Sequence, residues 1–156
     1  MRAVAAVAAV AAVAAACGDN ATVSQWVSST QFGEHYAILQ ADNARIGVDL
    51  RSYPPPPSTK ADCSVLVADL SNIAGDLPTP DARLTALLDA AFHSDQAAAS
   101  DCVEGLPADR AKLTQADAER VRAEHQLVAA MARIATVTGS VPPTSTTTTI
   151  PGGVFG

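Results

Sequence analysis

The chain has 156 residues, 48% hydrophobic and only 4% aromatic, with 10 Lys and Arg against 16 Asp and Glu for a net charge of −6. An acidic surface of this kind is repelled by nucleic acid and by anionic headgroups, which argues against a nucleic-acid partner. With the low-complexity stretches set aside, the remainder is enough for one small domain.

Residues 1–16, MRAVAAVAAVAAVAAA, carry one positive charge at Arg2, then an unbroken small apolar run and small residues at its end, the layout of a secretory signal. The run is shorter than the about 20 apolar residues a spanning helix needs, and Gly18, Asp19 and Asn20 follow Cys17 at once. Ala14, Ala15, Ala16 and Cys17 resemble the lipobox of bacterial lipoproteins, with Ala14 standing where Leu is usual. That resemblance covers about the first tenth of the chain. It implies cleavage before Cys17, diacylation of Cys17 with palmitate-type chains, and a lipid anchor on the extracytoplasmic face of the cell membrane. Ala14 and Ala16 also form an A-x-A site for the ordinary signal peptidase, a cut that leaves Cys17 unlipidated. Loss of the signal removes Arg2 and no acid, so the mature net charge is −7.

Cysteine parity bears on this choice. The chain has Cys17, Cys63 and Cys102, and an odd count in an exported protein leaves one thiol over. A lipid on Cys17 lets Cys63 and Cys102 pair.

Residues 17–27 read as the lipidated tether, ending in a short polar stretch. A helical domain is predicted over 28–138, with helices at about 28–50, 60–76, 80–103 and 109–138. In the first helix Phe32, Tyr36, Leu39, Asn43, Ile46 and Leu50 recur at three- and four-residue steps and form one stripe that only Asn43 interrupts. Ser28 with Gln31 fits a capping box, and Val27 with Phe32 a hydrophobic staple. Trp26, just ahead of them, is placed either as a lid on the end of the domain or at the membrane interface. The RSYPPPPSTK stretch favours an extended connection.

The second helix continues with Cys63, Leu66, Leu70, Ile73 and Leu77, capped by Ser58 or Thr59. The third begins with Thr79 as cap and Pro80 at the first helical position, where a missing N–H costs nothing. Its wider stripe holds Leu84, Leu87, Leu88, Ala91, Phe92, Ala98, Ala99 and Cys102, and the fourth holds Leu113, Ala116, Arg120, Ala123, Leu127, Ala130, Ile134 and Val137, flanked by Val121, Val128 and Met131. Arg120 is the misfit of the fourth, its stem laid along the core edge and its head reaching water. No stretch alternates with period two. The fold class is therefore all-α, an antiparallel up-down-up-down four-helix bundle with one disulfide. Cys63 and Cys102 fall on inward stripes of consecutive helices, although Cys102 stands nine residues further from the intervening turn, or ~13 Å at 1.5 Å per residue. The Thr- and Pro-rich tail, residues 139–156, has almost nothing to bury and is predicted to be disordered.

No motif carries chemistry. There is no G-x-S-x-G elbow and no Gly-rich phosphate loop, so no catalytic residue is assigned. His35, His93 and His125 fall on three helices without a Glu-x-x-His pair, and no C-x-x-C-H motif is present, so no metal ligand and no cofactor are assigned. The layout of lipidated cysteine, tether, Ala-rich helical domain with one cystine and Thr/Pro tail resembles small helical envelope lipoproteins of high-GC Gram-positive bacteria. The resemblance implies no activity. It leaves three readings: a non-enzymatic binding or accessory module for an envelope protein, a small-ligand carrier with a cavity between helices, and a metal or haem bundle using His35, His93 and Met131.

Overall fold

The computed structural model describes residues 22–140. The signal segment, Cys17 and residues 141–156 of the tail lie outside the described residues. Among those described the protein is all-α, with no strand. Helix α1 covers 22–29, α2 Phe32–Leu50, α3 Thr59–Ile73, α4 Ala82–Gly105 and α5 Arg110–Thr138; a 3-10 turn, Ala74–Asp76, extends α3.

Helix α1 replaces the last part of the predicted tether. Its hydroxyls explain why the predicted cap at Ser28 does not form. Ser28 Oγ donates back to Ser24 O at 3.0 Å, while Ser29 Oγ, Thr30 Oγ1 and Thr30 N all donate to Trp26 O. Side chains turned back in this way close one helix instead of opening the next. Gln31 then takes a left-handed conformation, φ 52°, which is uncommon outside glycine and separates α1 from α2. Trp26 packs on Phe32 with ring centroids 5.1 Å apart, and its Nε1 donates to Asp76 O at 2.9 Å. It closes one end of the core, the lid position rather than the membrane interface.

The connections are specified by polar contacts at their ends. Thr59, expected as a possible cap, instead donates through Oγ1 to Asp49 Oδ2 at 2.9 Å and ties α3 to the end of α2. The proline loop between them is held by Tyr53, whose hydroxyl donates to Ala108 O and whose ring lies 5.2 Å from the Arg110 guanidinium carbon. Helix α4 starts two residues later than predicted, because Asp81 rather than Thr79 accepts from Leu84 N, at 2.6 Å. A carboxylate is both a good N-cap and a favourable charge at a helix N-terminus. Thr79 is occupied with Thr85 Oγ1 at 2.9 Å.

The core runs through all five helices. Leu39 and Ile46 of α2, Leu66 and Leu70 of α3, Leu84 and Leu88 of α4, and Leu127 of α5 are buried in one cluster. Helices α4 and α5 make the most extensive contact in the domain. The reason is size: Ala116, Ala123 and Ala130 repeat every seven residues along α5 and are fully buried, as is Ala91 of α4. Such small side chains let helix axes approach closely. Gly105 has the same use, since a Cβ there would stand 3.0 Å from Lys112 Cβ.

Cys63 and Cys102 form the disulfide, with Cα atoms 6.3 Å apart. The height mismatch resolves into a difference of helix length. Ten residues separate Cys63 from the end of α3 and twenty separate the start of α4 from Cys102, so α4 is the longer by about 15 Å of helix. Leu84 and Leu88 in that longer part are nevertheless fully buried in the cluster that includes Val23 and Trp26 of α1.

Candidate functional site

Three helices each place one polar residue where their apolar stripe predicts a core residue. Asn43 follows Leu39 and precedes Ile46 on α2; Asp95 lies between Leu88, Phe92 and Ala99 on α4; Arg120 lies between Ala116 and Ala123 on α5. All three are buried, Asp95 completely. Asn43 Nδ2 donates to Asp95 Oδ2 at 3.1 Å across 52 residues of sequence.

Arg120 is buried against expectation, with 8% of its side chain exposed. Its Nε donates to Asp117 Oδ1 at 2.9 Å, Nη2 approaches the same oxygen at 2.8 Å, and Nη1 stands 3.5 Å from Glu124 Oε2. Space for the guanidinium comes from Gly47 on α2, where a Cβ would lie 2.7 Å from Arg120 Cζ. The group that was expected to reach water is therefore laid against a helix backbone, with two carboxylates compensating its charge.

Asp95 has no cation in hydrogen-bond contact. Burial pushes its carboxyl up to about 7, against the Asn43 hydrogen bond and the charge of Arg120, which lower it, and with Glu124, which raises it further. Asp95 Oδ1 and Asn43 Oδ1 are both buried without a hydrogen-bond partner. Next to Asn43 on α2, Asp42 is also raised, mainly by burial, while Arg45 lowers it. Arg45 joins Asp42 at 2.7 Å to Asp62 at 3.2 Å, a link between α2 and α3.

A cavity of about 380 Å³ opens beside the Asn43 and Arg120 side chains, between α2 and α5. Its polar wall is Gln40, Asn43, Arg120 and Glu124, and its apolar wall is Ala41, Ala44 and Leu127. The alanines of α2 explain the space, because α2 meets α5 far less extensively than α4 does. A hollow of about 390 Å³ between α3 and α4 is lined by Ser64, Val67, Gln96 and Ser100, none of them buried. The first cavity is the candidate site, since it alone of these two has buried polar groups on its wall.

The structure thus brings together Asn43 and Arg120, both singled out as departures from the core pattern, and adds Asp95 and Gly47. Asp95 lies between Phe92 and Ala98 on α4, whose stripe is too broad for one acid to mark itself in the sequence. Cys63 and Cys102 are bonded, and Cys17 lies outside the described residues. His35 stands 3.6 Å from Asp76, and His93 sits on an exposed face beside Asp89. Among the described residues no three His, Cys, Asp or Glu side chains converge on a point that could hold a metal ion, and no helix is long and apolar enough to cross a membrane. Comparison with protein-family models, with curated proteins and with solved structures yields no match to this chain.

Proposed function

We propose that the protein is a membrane-anchored extracytoplasmic lipoprotein, non-enzymatic, whose helical domain is a binding or accessory module of the cell envelope. The observation that carries this reading is the Cys63–Cys102 bond. It uses two of the three cysteines and leaves Cys17, directly after the small residues Ala14 to Ala16, as the one available for lipid. In this reading the membrane is the first partner, through the acyl chains, and an envelope protein is the second.

The domain itself is read as an up-down-up-down four-helix bundle of α2 to α5 with α1 as a lid. Two ion pairs support opposite directions for α4 and α5: Asp81 at the start of α4 meets Arg133 late in α5, and Glu104 at the end of α4 meets Lys112 at the start of α5. For α3 and α4 the disulfide gives the same indication, joining the first turns of one to the last turn of the other.

Intact mass spectrometry of protein recovered from host membranes, beside a Cys17→Ala version, tests the anchor. The expected wild-type mass is that of a chain starting at Cys17, with acyl groups added and two hydrogens missing for the disulfide. An unacylated chain released to the medium overturns the lipoprotein reading.

A second reading, a small-ligand carrier, is favoured by the cavity between α2 and α5. Its volume lies in the lower range of ligand pockets, and its wall combines an apolar side with a few convergent polar groups.

A further inference from the structure

We propose that α2 is a pH-sensitive arm of the domain, latched by two protons and released from α3 and α4 when they are lost. One proton is shared between Asp42 of α2 and Asp69 of α3; the other is held by Asp95 of α4 against Asn43 of α2. Release uncovers Leu39 and Ile46, which α2 contributes to the core, and widens the cavity between α2 and α5.

The unpaired atoms locate the latches. Asp42 Oδ1 accepts from Arg45, but Asp42 Oδ2 is buried with no donor, and the carboxyl of Asp69 is close enough to share a hydrogen bond with Asp42. Two ionised carboxylates have no hydrogen to share; one proton supplies it. On the adjoining residue, Asn43 Nδ2 donates to Asp95 Oδ2 at 3.1 Å, while Asn43 Oδ1 and Asp95 Oδ1 are both buried and unpaired. Two acceptors cannot bond to each other. A proton on Asp95 adds the donor that Asn43 Oδ1 lacks, and an acid facing an amide then exchanges two hydrogen bonds in place of one.

Charge sets the direction. Burial holds both carboxyls above the usual range, Asp95 at about 7. Around Asp42, Arg45 of the same helix opposes that effect, whereas Asp69 and Asp62 of α3 add to it. Around Asp95, Asn43 of α2 and Arg120 of α5 oppose it and Glu124 of α5 adds to it. Both cations are shared with other anions: Arg45 also lies 3.2 Å from Asp62, and Arg120 donates to Asp117. The folded values lie above the unfolded ones, so each latch is complete in acid and fails as pH rises through the folded value. Helix α2 is the one that yields, because Cys63–Cys102 fastens α3 to α4 and two ion pairs, Asp81–Arg133 and Glu104–Lys112, fasten α4 to α5. It meets α3 and α5 less extensively than α4 meets α5, and it is bounded by the left-handed Gln31 on one side and the proline loop on the other.

The test is amide hydrogen exchange of the full-length chain in detergent at about pH 5 and about pH 8, corrected for the intrinsic rate at each pH and read separately for α2 and α5. Between the two conditions, protection over residues 39–47 of α2 should fall at least about tenfold relative to residues 123–134 of α5. A double variant, Asp42→Asn with Asp95→Asn, should show the same α2 protection at both pH values, since each new amide supplies the donor that a proton supplied. Asp69→Asn alone guards against a double variant that does not fold. It removes the like charge facing Asp42 and should raise α2 protection at the higher pH at least about threefold. Equal loss of protection in α2 and α5, or constant α2 protection in the wild-type chain, overturns the latch. So does a pH effect that persists unchanged in the double variant or, where that variant does not fold, an Asp69→Asn chain that gains nothing.

Discussion

Two carboxylates on one helix live under opposite conditions. Asp81 caps the start of α4, accepts from Leu84 N, and is gripped by Arg133 of α5, so the Arg133 hydrogen bonds hold its carboxyl below the usual range. Asp95, fourteen residues further along the same helix, is completely buried with one amide as its hydrogen-bond partner, and burial drives its carboxyl upward. Helix α4 is thus fastened near both ends, by Asp81 with Arg133 and by Cys102 with Cys63, and carries its uncompensated group in the middle. Contacts at the ends serve the fold. At the centre Asp95 Oδ1 and Asn43 Oδ1 are buried without a hydrogen-bond partner.

Breaking the covalent end has the largest expected effect. The bond closes a loop with a sequence separation of 39, which in the chain-entropy model stabilises the fold by about 4 kcal/mol. Replacing Cys63 and Cys102 together by Ala should lower the urea unfolding free energy by about that amount. A loss below about 1 kcal/mol would mean that the longer α4 is held by apolar packing and Arg133 alone.

Asp95→Asn at the centre should act in the opposite direction. The folded pKa, about 7, lies above the ordinary value of 3.8, so the folded state holds this proton where the unfolded chain has lost it. The contribution of Asp95 to stability is accordingly greatest below pH 4 and falls as pH rises toward 7, by up to about 4 kcal/mol. The neutral variant escapes that loss. Urea titrations at pH 4 and pH 8 should show the variant close to wild type at the lower pH and more stable at the higher.

Both the ends and the centre were partly legible in the sequence, to different depths. Three- and four-residue spacing placed α2 to α5 within a few residues of their observed bounds, because a buried stripe must follow the helical period whatever it packs against. Helix α1 was not legible: Val23, Trp26 and Val27 are too few to establish a period, and so short a helix is held by the tertiary contacts of Trp26 with Phe32 and Asp76 rather than by its own propensity. For the disulfide, phase could be read and height could not, since height depends on how much of α4 another element covers. At the centre Asn43 and Arg120 stood out as interruptions of a stripe. Asp95 did not, because α4 has a broad stripe in which one acid resembles a solvated edge. Gly47 gives no sequence signal at all; its purpose exists only when Arg120 lies across it.

Gly47→Ala sharpens the comparison from the other side of the pocket. The new Cβ would fall 2.7 Å from Arg120 Cζ, so the guanidinium must move or the helices part. Overpacking of this kind costs about 1–3 kcal/mol. Because the Arg120 charge lowers the Asp95 carboxyl, its displacement should also move the Asp95 titration upward, read from the carboxyl carbon resonance. A stability loss with no movement of that titration would show that Arg120 acts on packing and leaves the central acid untouched.

Asp81→Asn should produce the smallest effect, and its sign is the useful part. Asn is itself a good N-cap, so the acceptor for Leu84 N survives and only the charge facing Arg133 and the helix N-terminus is lost. A partly exposed ion pair of this kind contributes about 1 kcal/mol. The carboxyl of Asp81 is held below its unfolded value, so its contribution is present above about pH 4 and disappears as pH falls through the folded pKa. Wild type should therefore exceed this variant at pH 7 and match it in acid, whereas the Asp95 variant exceeds wild type at pH 8 and matches it at pH 4. If both variants move stability in the same direction near neutral pH, burial does not separate the two acids.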